Sequence, residues 1–183
     1  LQHPPVDARI TTPTDRGPVD LRVCLTTSAQ GETMAIRLPL NDSALLSIDS
    51  LGFNEDLVHE IDDWMGRAGG LLLISGPTGS GKTTTFYAMC KDQAKRQERV
   101  VTVEDPVERN ISTLHQISCG REKEQRPADL IRAVVRLDPD VIGVGEIRDS
   151  DSAHAAVRAC LSGHQVLATI HGTNPSGIVS LLR

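Results

Sequence analysis

Residues 76–85 read GPTGSGKTTT and hold the densest chemistry of the chain. Gly76 through Thr83 fit the spacing G-x-x-x-x-G-K-[ST], the pattern of a phosphate cradle between a strand and a helix. Gly76, Gly79 and Gly81 let the backbone curl until its N–H groups converge on phosphate oxygens. Pro77, Thr78, Ser80 and Thr84 complete the candidate nucleotide-binding run. Lys82 brings a positive charge to the β- and γ-phosphates, and the Thr83 hydroxyl is a ligand suited to Mg2+. The cofactors implied are a nucleoside triphosphate, ATP or GTP, and Mg2+.

A second set of reactive side chains follows apolar runs. Glu104 and Asp105 close VVTVE-D, Glu108 comes one turn later in EDPVE, Glu146 follows VIGVG, and His171 closes VLATI. Phosphoryl transfer to water needs one carboxylate linked to Mg2+, directly or through water, and another that positions or activates the attacking water. Glu146 is the first candidate for these tasks and Glu104 the second. Helix capping or pairing with an arginine remains open for Glu104, and more so for Glu108. Asp138 and Asp140 precede their strand and suit a turn or cap; Arg148 and Asp149 could pair with each other or with a neighbouring subunit.

His164 and His171 flank one apolar run. Seven extended residues separate them by roughly 23 Å, too far to share a zinc with Zn–N bonds of about 2 Å. His171 is the candidate γ-phosphate sensor or relay, and His164, beside Gly163, suits a structural or subunit-contact role.

The elements that must position these groups are legible as changes of period. From residue 70 onward, the apolar runs LLLIS, VVTVE, VIGVG and VLATI alternate with helical stretches expected near 82–97, 127–136 and 150–161. Near-continuous apolar strands between helices indicate an α/β fold with a parallel sheet covered on both faces. Ligands of such sheets bind beyond the carboxyl ends of the strands, where Glu104, Glu146 and His171 all fall. Upstream, a helix is expected from the N-cap Asn54, with Leu57, Ile61, Trp64 and Met65 at helical spacing and Gly69–Gly70 ending it. VDLRVCLTT and GETMAIRLP read as a hairpin, and residues 1–18 read as loop. The expected organisation is an N-terminal part over 1–40, a linker over 41–50, and a nucleotide domain over 51–183 that is incomplete at its C-terminal end.

Composition narrows the partners. Net charge is −5 and aromatics are 2% of 183 residues, whereas single-strand nucleic-acid binders combine a basic groove with aromatic platforms. No stable nucleic-acid partner is expected. No stretch reaches the roughly 18 apolar residues of a membrane span, and the start LQHPPVDAR lacks the pattern of a signal peptide. Cys24, Cys90, Cys119 and Cys160 form no C-x-x-C pair and suit reduced thiols.

The order GPTGSGKTTT, VTVEDPVE, IRAVVRLDPDVIGVGEIRDSDSA and SGHQVLATIHGTN resembles the motor ATPases of type II secretion and type IV pilus systems. That family names these stretches the Walker A, Asp box, Walker B and His box. The resemblance covers roughly residues 70–183 and implies a RecA-like P-loop domain, with Asp105, Glu108, His164 and Arg148 as further motif residues. LRVCLTTSAQGETMAIRLP is similar to the end of the family's PAS-like N-terminal subdomain, whose two arginines reach the nucleotide phosphates; by position these are Arg22 and Arg37. The Gly31–Glu32 turn looks more like the secretion and assembly branch than the retraction branch. The family implies a homo-hexameric ring, cytoplasmic and held at the inner membrane through platform partners, in which MgATP hydrolysis drives pilus or pseudopilus assembly. A P-loop translocase on nucleic acid, a kinase, and a module that only binds nucleotide are the competing readings.

Overall fold

Alternation of apolar and polar residues builds the first unit. The computed structural model describes residues 6–15, 19–38, 47–96, 98–119 and 126–172, with the backbone alone at Arg9, Asp20 and Arg22. Chain contacts divide the protein into two units, Leu1–Ser43 and Ala44–Arg183, and the division falls inside segment 41–50. In the first unit β1 (Val6–Thr12), β2 (Val19–Ser28) and β3 (Gly31–Arg37) form an antiparallel sheet in that order. The loop expected over residues 1–18 is therefore corrected: the hairpin has a third strand. Val6, Ala8 and Ile10 alternate with Asp7, Arg9 and Thr11, and the prolines on either side disguise that period in the sequence. Ala29 and Gln30 close the turn between β2 and β3, where the Ser28 hydroxyl donates to the Gly31 carbonyl at 3.0 Å. Gly31 takes φ +125°, a conformation that favours glycine.

The second unit opens with a 3-10 turn at Ile48–Ser50 and α1 (Glu55–Met65). Asn54 caps α1, its side chain accepting from the Leu57 amide at 2.9 Å. The helix stops at Met65, with Gly66 as C-cap, so Gly69–Gly70 do not end it as expected. Gly70 instead begins β4 (Gly70–Gly76). Then follow α2 (Lys82–Lys95), β5 (Val100–Glu104), β6 (His115–Ser118), α3 (Pro127–Val134) running into a 3-10 turn at Val135–Leu137, β7 (Val141–Ile147), α4 (Ser150–Leu161) and β8 (Gln165–His171). The strands form a parallel five-stranded sheet in the order β4-β8-β7-β5-β6. β6 was not expected; four residues, only Ile117 a strong strand former, give too short a pattern to read.

Helices cover both faces, each with its own core. On one side Ile131 and Val134 of α3 and Ala153, Ala156 and Ala159 of α4 pack on Val101, Ile142, Val144 and Val166. On the other, Ile61 and Met65 of α1 and Phe86, Met89 and Cys90 of α2 pack on Val100, Val141 and Leu167. Fully burying each large apolar side chain contributes about 1.5–3 kcal/mol, so the phosphate-loop helix is anchored by its own apolar face. Asp140, at the amino end of β7, accepts from the Arg99 amide at 2.7 Å, and Asp138 takes φ +54° in the preceding turn. All four cysteines are free thiols. Among the described residues no helix is long and apolar enough to cross a membrane.

Candidate functional site

The loop between β4 and α2 wraps into a cradle. Gly76, Gly79 and Gly81 have φ of +159°, +79° and +92°. At Gly79 and Gly81 only glycine sits without strain. A Cβ on Gly76 would lie 2.6 Å from the Ser80 hydroxyl, so its hydrogen keeps the loop closed. Gly81 precedes α2 without any side-chain cap, leaving first-turn N–H groups for an anion. Lys82 curls back over the loop, donating to the Gly76 carbonyl at 2.8 Å and the Pro77 carbonyl at 3.0 Å. Pro77, Thr78, Ser80 and Thr83 are exposed and Thr84 is half-buried.

Strand pairing brings His171 to this loop, because β8 lies beside β4 with Gly76 paired to His171. β7 is next, and its register with β8 shifts between Val144 and Ile147. A bulge at this place re-aims a side chain near the strand end, here Glu146. Its Oε1 lies 2.7 Å from His171 Nε2, and its Oε2 accepts from Arg148 Nε at 2.5 Å. Arg148 also donates to Asp105 Oδ2 at 3.0 Å. The side chains form one chain, Asp105–Arg148–Glu146–His171, across the carboxyl ends of β5, β7 and β8. The bond to Glu146 pushes the Arg148 pKa above its ordinary value, so the guanidinium stays charged. Asp149 does not pair with Arg148; it caps α4 by accepting from the Ser152 amide at 2.7 Å.

Glu104 is placed differently. Only 4% exposed, its carboxylate accepts from the Thr102 hydroxyl at 2.6 Å and the Gln116 amide at 3.0 Å on one oxygen, and from the Tyr87 hydroxyl on the other. A buried carboxylate requires such donors. The Tyr87 hydroxyl, whose pKa is pushed far up by burial first and by Glu104 second, also accepts from the backbone amides of Glu108 and Arg109, both at 3.3 Å. Glu108 itself is exposed. Sequence reasoning overlooked Tyr87 and Gln116; the one available signal was the chain's single tyrosine standing one helical turn after Thr83.

His164 lies at the other end of β8. Its Nδ1 is 3.0 Å from the Ser162 hydroxyl and 3.2 Å from the Ala159 carbonyl, which ties the end of α4 to the start of the strand. Arg22 and Arg37 belong to the first unit, where they are paired across β2 and β3, and Arg9 is paired with Arg22 across β1 and β2. The register thus sets three arginines in one row.

Comparison with known proteins places the chain in a family. The family described as "Type II/IV secretion system protein" matches residues 2–183. Type IV pilus assembly ATPase TfpB of Acinetobacter baylyi is 40% identical over 179 residues, covering 97% of this chain and 31% of that protein. Type II secretion system protein E of Pseudomonas aeruginosa is 39% identical over 178 residues, covering 97% and 36%. The crystal structure of the pilus retraction motor PilT with bound ADP has a TM-score of 0.75 and 28% identity, covering 97% of this chain and 50% of that one. The Legionella pneumophila ATPase DotB, at 24% identity and a TM-score of 0.76, shares the fold. The chain spans about a third of the length of these curated relatives.

Proposed function

We propose a function from the premise that this chain belongs to the type II/type IV secretion system protein family: it is the nucleotide-hydrolysing core of a motor ATPase that drives pilus or pseudopilus assembly. The observation that carries the reading is the meeting of an uncapped phosphate loop with the Glu146–His171 pair at one sheet edge. The relatives' names speak of type IV pilus assembly and type II secretion, and a structural neighbour holds ADP.

In this reading the amides of residues 76–83 and the Lys82 ammonium hold the phosphates of ATP. Lys82 exchanges its loop carbonyls for phosphate oxygens, a charge-assisted and stronger bond. The exposed Thr83 hydroxyl and the Glu146 carboxylate fit a Mg2+ site, an ion that takes one or two protein oxygens and fills its shell with phosphate and water. When bound, Mg2+ neutralises charge on the β- and γ-phosphates. Glu146 orients the attacking water, directly or from beside the ion, and His171 senses the γ-phosphate from the adjacent strand. Each Glu146 oxygen meets one partner, Arg148 or His171, and keeps a second lone pair for a water proton. Glu104, committed to three interior donors, acts by holding the end of β5 rather than by touching water. The working assembly is a homo-hexamer, cytoplasmic and held at the inner membrane by platform proteins of the machinery.

Lys82→Ala tests the reading. Nucleotide affinity and ATP turnover are both expected to fall by on the order of 10²-fold or more, as when a preorganised charge donor is lost. Turnover equal to that of the wild type would refute it.

A further inference from the structure

The Tyr87 hydroxyl joins three pieces of the nucleotide unit. It stands on α2, one turn beyond Thr83, and is 3% exposed. It donates to Glu104 at the end of β5 and accepts from the amides of Glu108 and Arg109 in the acidic turn that follows. Gln116 of β6 closes the same turn from the other side: its amide donates to the Arg109 carbonyl at 2.9 Å, and its oxygen accepts from the Ile111 amide at 2.7 Å. The turn begins with Asp105, which holds Arg148, which holds Glu146. A continuous set of bonds therefore runs from the phosphate-loop helix to the carboxylate assigned above to the attacking water.

We propose that Tyr87 is a positioning residue for hydrolysis, its hydroxyl locking Glu104 and the turn 105–110 to the phosphate-loop helix so that the Asp105–Arg148–Glu146 chain keeps its place when nucleotide is bound. This rests on the ATPase reading of the same site. The ring of Tyr87 fills space in the core, which a phenylalanine does equally well; the hydroxyl makes the bonds to the turn amides. Burial first and the Glu104 carboxylate second raise the pKa of that hydroxyl, so it is the proton donor to Glu104 at neutral pH. The phosphate-binding atoms themselves, the loop amides and Lys82, make no bond to Tyr87, and nucleotide affinity is therefore expected to be independent of it.

The experiment is Tyr87→Phe in the intact protein, read three ways. ATP turnover is expected to show kcat lower by about ten- to a hundredfold, the scale of a misplacement of about 1 Å in a reacting group, with KM for ATP within about twofold of the wild type. Amide hydrogen exchange is expected to accelerate at residues 108 and 109 while residues 82–95 keep their protection. Combining Tyr87→Phe with Glu104→Gln is expected to cost less than the product of the separate losses, because the two act through one bond. An unchanged kcat, or a kcat and a nucleotide affinity that fall together, overturns the proposal, as does unchanged exchange at residues 108 and 109. Should Tyr87→Phe fail to fold, Gln116→Met releases the same turn from its far side, and wild-type kcat and exchange in that variant overturn the proposal equally. A wild-type protein without ATP turnover sinks the proposed function, and the exchange measurement then decides the role of Tyr87 in holding the turn; wild-type turnover with an unaffected Tyr87→Phe sinks this inference alone.

Discussion

Gly143→Ala adds one methyl group between the sheet and the phosphate-loop helix. The new Cβ would stand 2.8 Å from Thr102 Cγ2, 2.9 Å from Phe86 Cζ and 3.3 Å from Cys90 Sγ. Thr102 and Cys90 are 0% exposed and Phe86 is 1% exposed, so none of the three can swing into solvent. Gly143 has no positive φ, and the backbone accepts alanine without strain; the whole cost comes from contact. Overpacking of this kind costs about 1–3 kcal/mol, and stiffening of the unfolded chain returns about 0.4–1 kcal/mol. The net loss is about 1–2 kcal/mol, which lowers Tm by roughly 2–8 °C at about 2–4 °C per kcal/mol for a chain of this size. Because Phe86 sits on α2 four residues after Lys82, the strain is passed to the phosphate loop. Thermal unfolding with and without ATP and Mg2+ measures both effects, and the ligand-induced rise in Tm is expected to shrink. A variant as stable as the wild type would refute the packing argument.

Glu146→Gln keeps the size of the side chain and removes its charge; ATP turnover is expected to fall by about 10²–10⁴-fold, the contribution of a positioned proton acceptor, while nucleotide affinity measured by equilibrium titration stays near the wild type. Full turnover would remove Glu146 from its assigned role. Asp149→Ala removes the N-cap of α4 and is expected to cost about 1 kcal/mol in denaturant unfolding. The pKa of Asp149 is lowered, chiefly by the Ser152 amide, so its contribution is fully present above the ordinary carboxylate value of about 3.9 and is lost as pH falls through its lower folded value. The difference in stability between wild type and Asp149→Ala should therefore shrink only on the acid side of that range, and a difference constant from neutral pH to pH 2 would refute the capping assignment.

Much of the site was legible because its chemistry is local. The phosphate loop is a single run of eight residues whose glycines, lysine and threonine have fixed offsets, and the helix after it needs only its own apolar face. The cap Asn54 acts on an amide three residues away; Asp149 does the same for α4, where the sequence leaves a pairing with Arg148 or a neighbouring subunit open. The rule that parallel strands present their carboxyl ends to ligand was enough to bring Glu146 and His171 to the edge that carries the loop. Short or disguised patterns failed: β1 between prolines, β6 with four residues, and the helix end at Gly66, where nothing in the glycine content separates it from Gly69 and Gly70.

What only the tertiary structure decided lies between segments far apart in the chain. Glu104 and Glu146 look alike in sequence, each a carboxylate after an apolar strand. The fold separates them by environment, turning Glu104 onto Tyr87, Thr102 and Gln116 in the interior and leaving Glu146 between Arg148 and His171 at the rim. The order β4-β8-β7 set the His171–Glu146 contact, and the bulge after Val144 set the aim of Glu146. A sequence specifies residue types and local spacing, which determine the loop, the caps and the strand ends. The partner of a buried carboxylate depends on which strands become neighbours and in what register, and that follows only when the apolar faces of all the helices and strands are buried together.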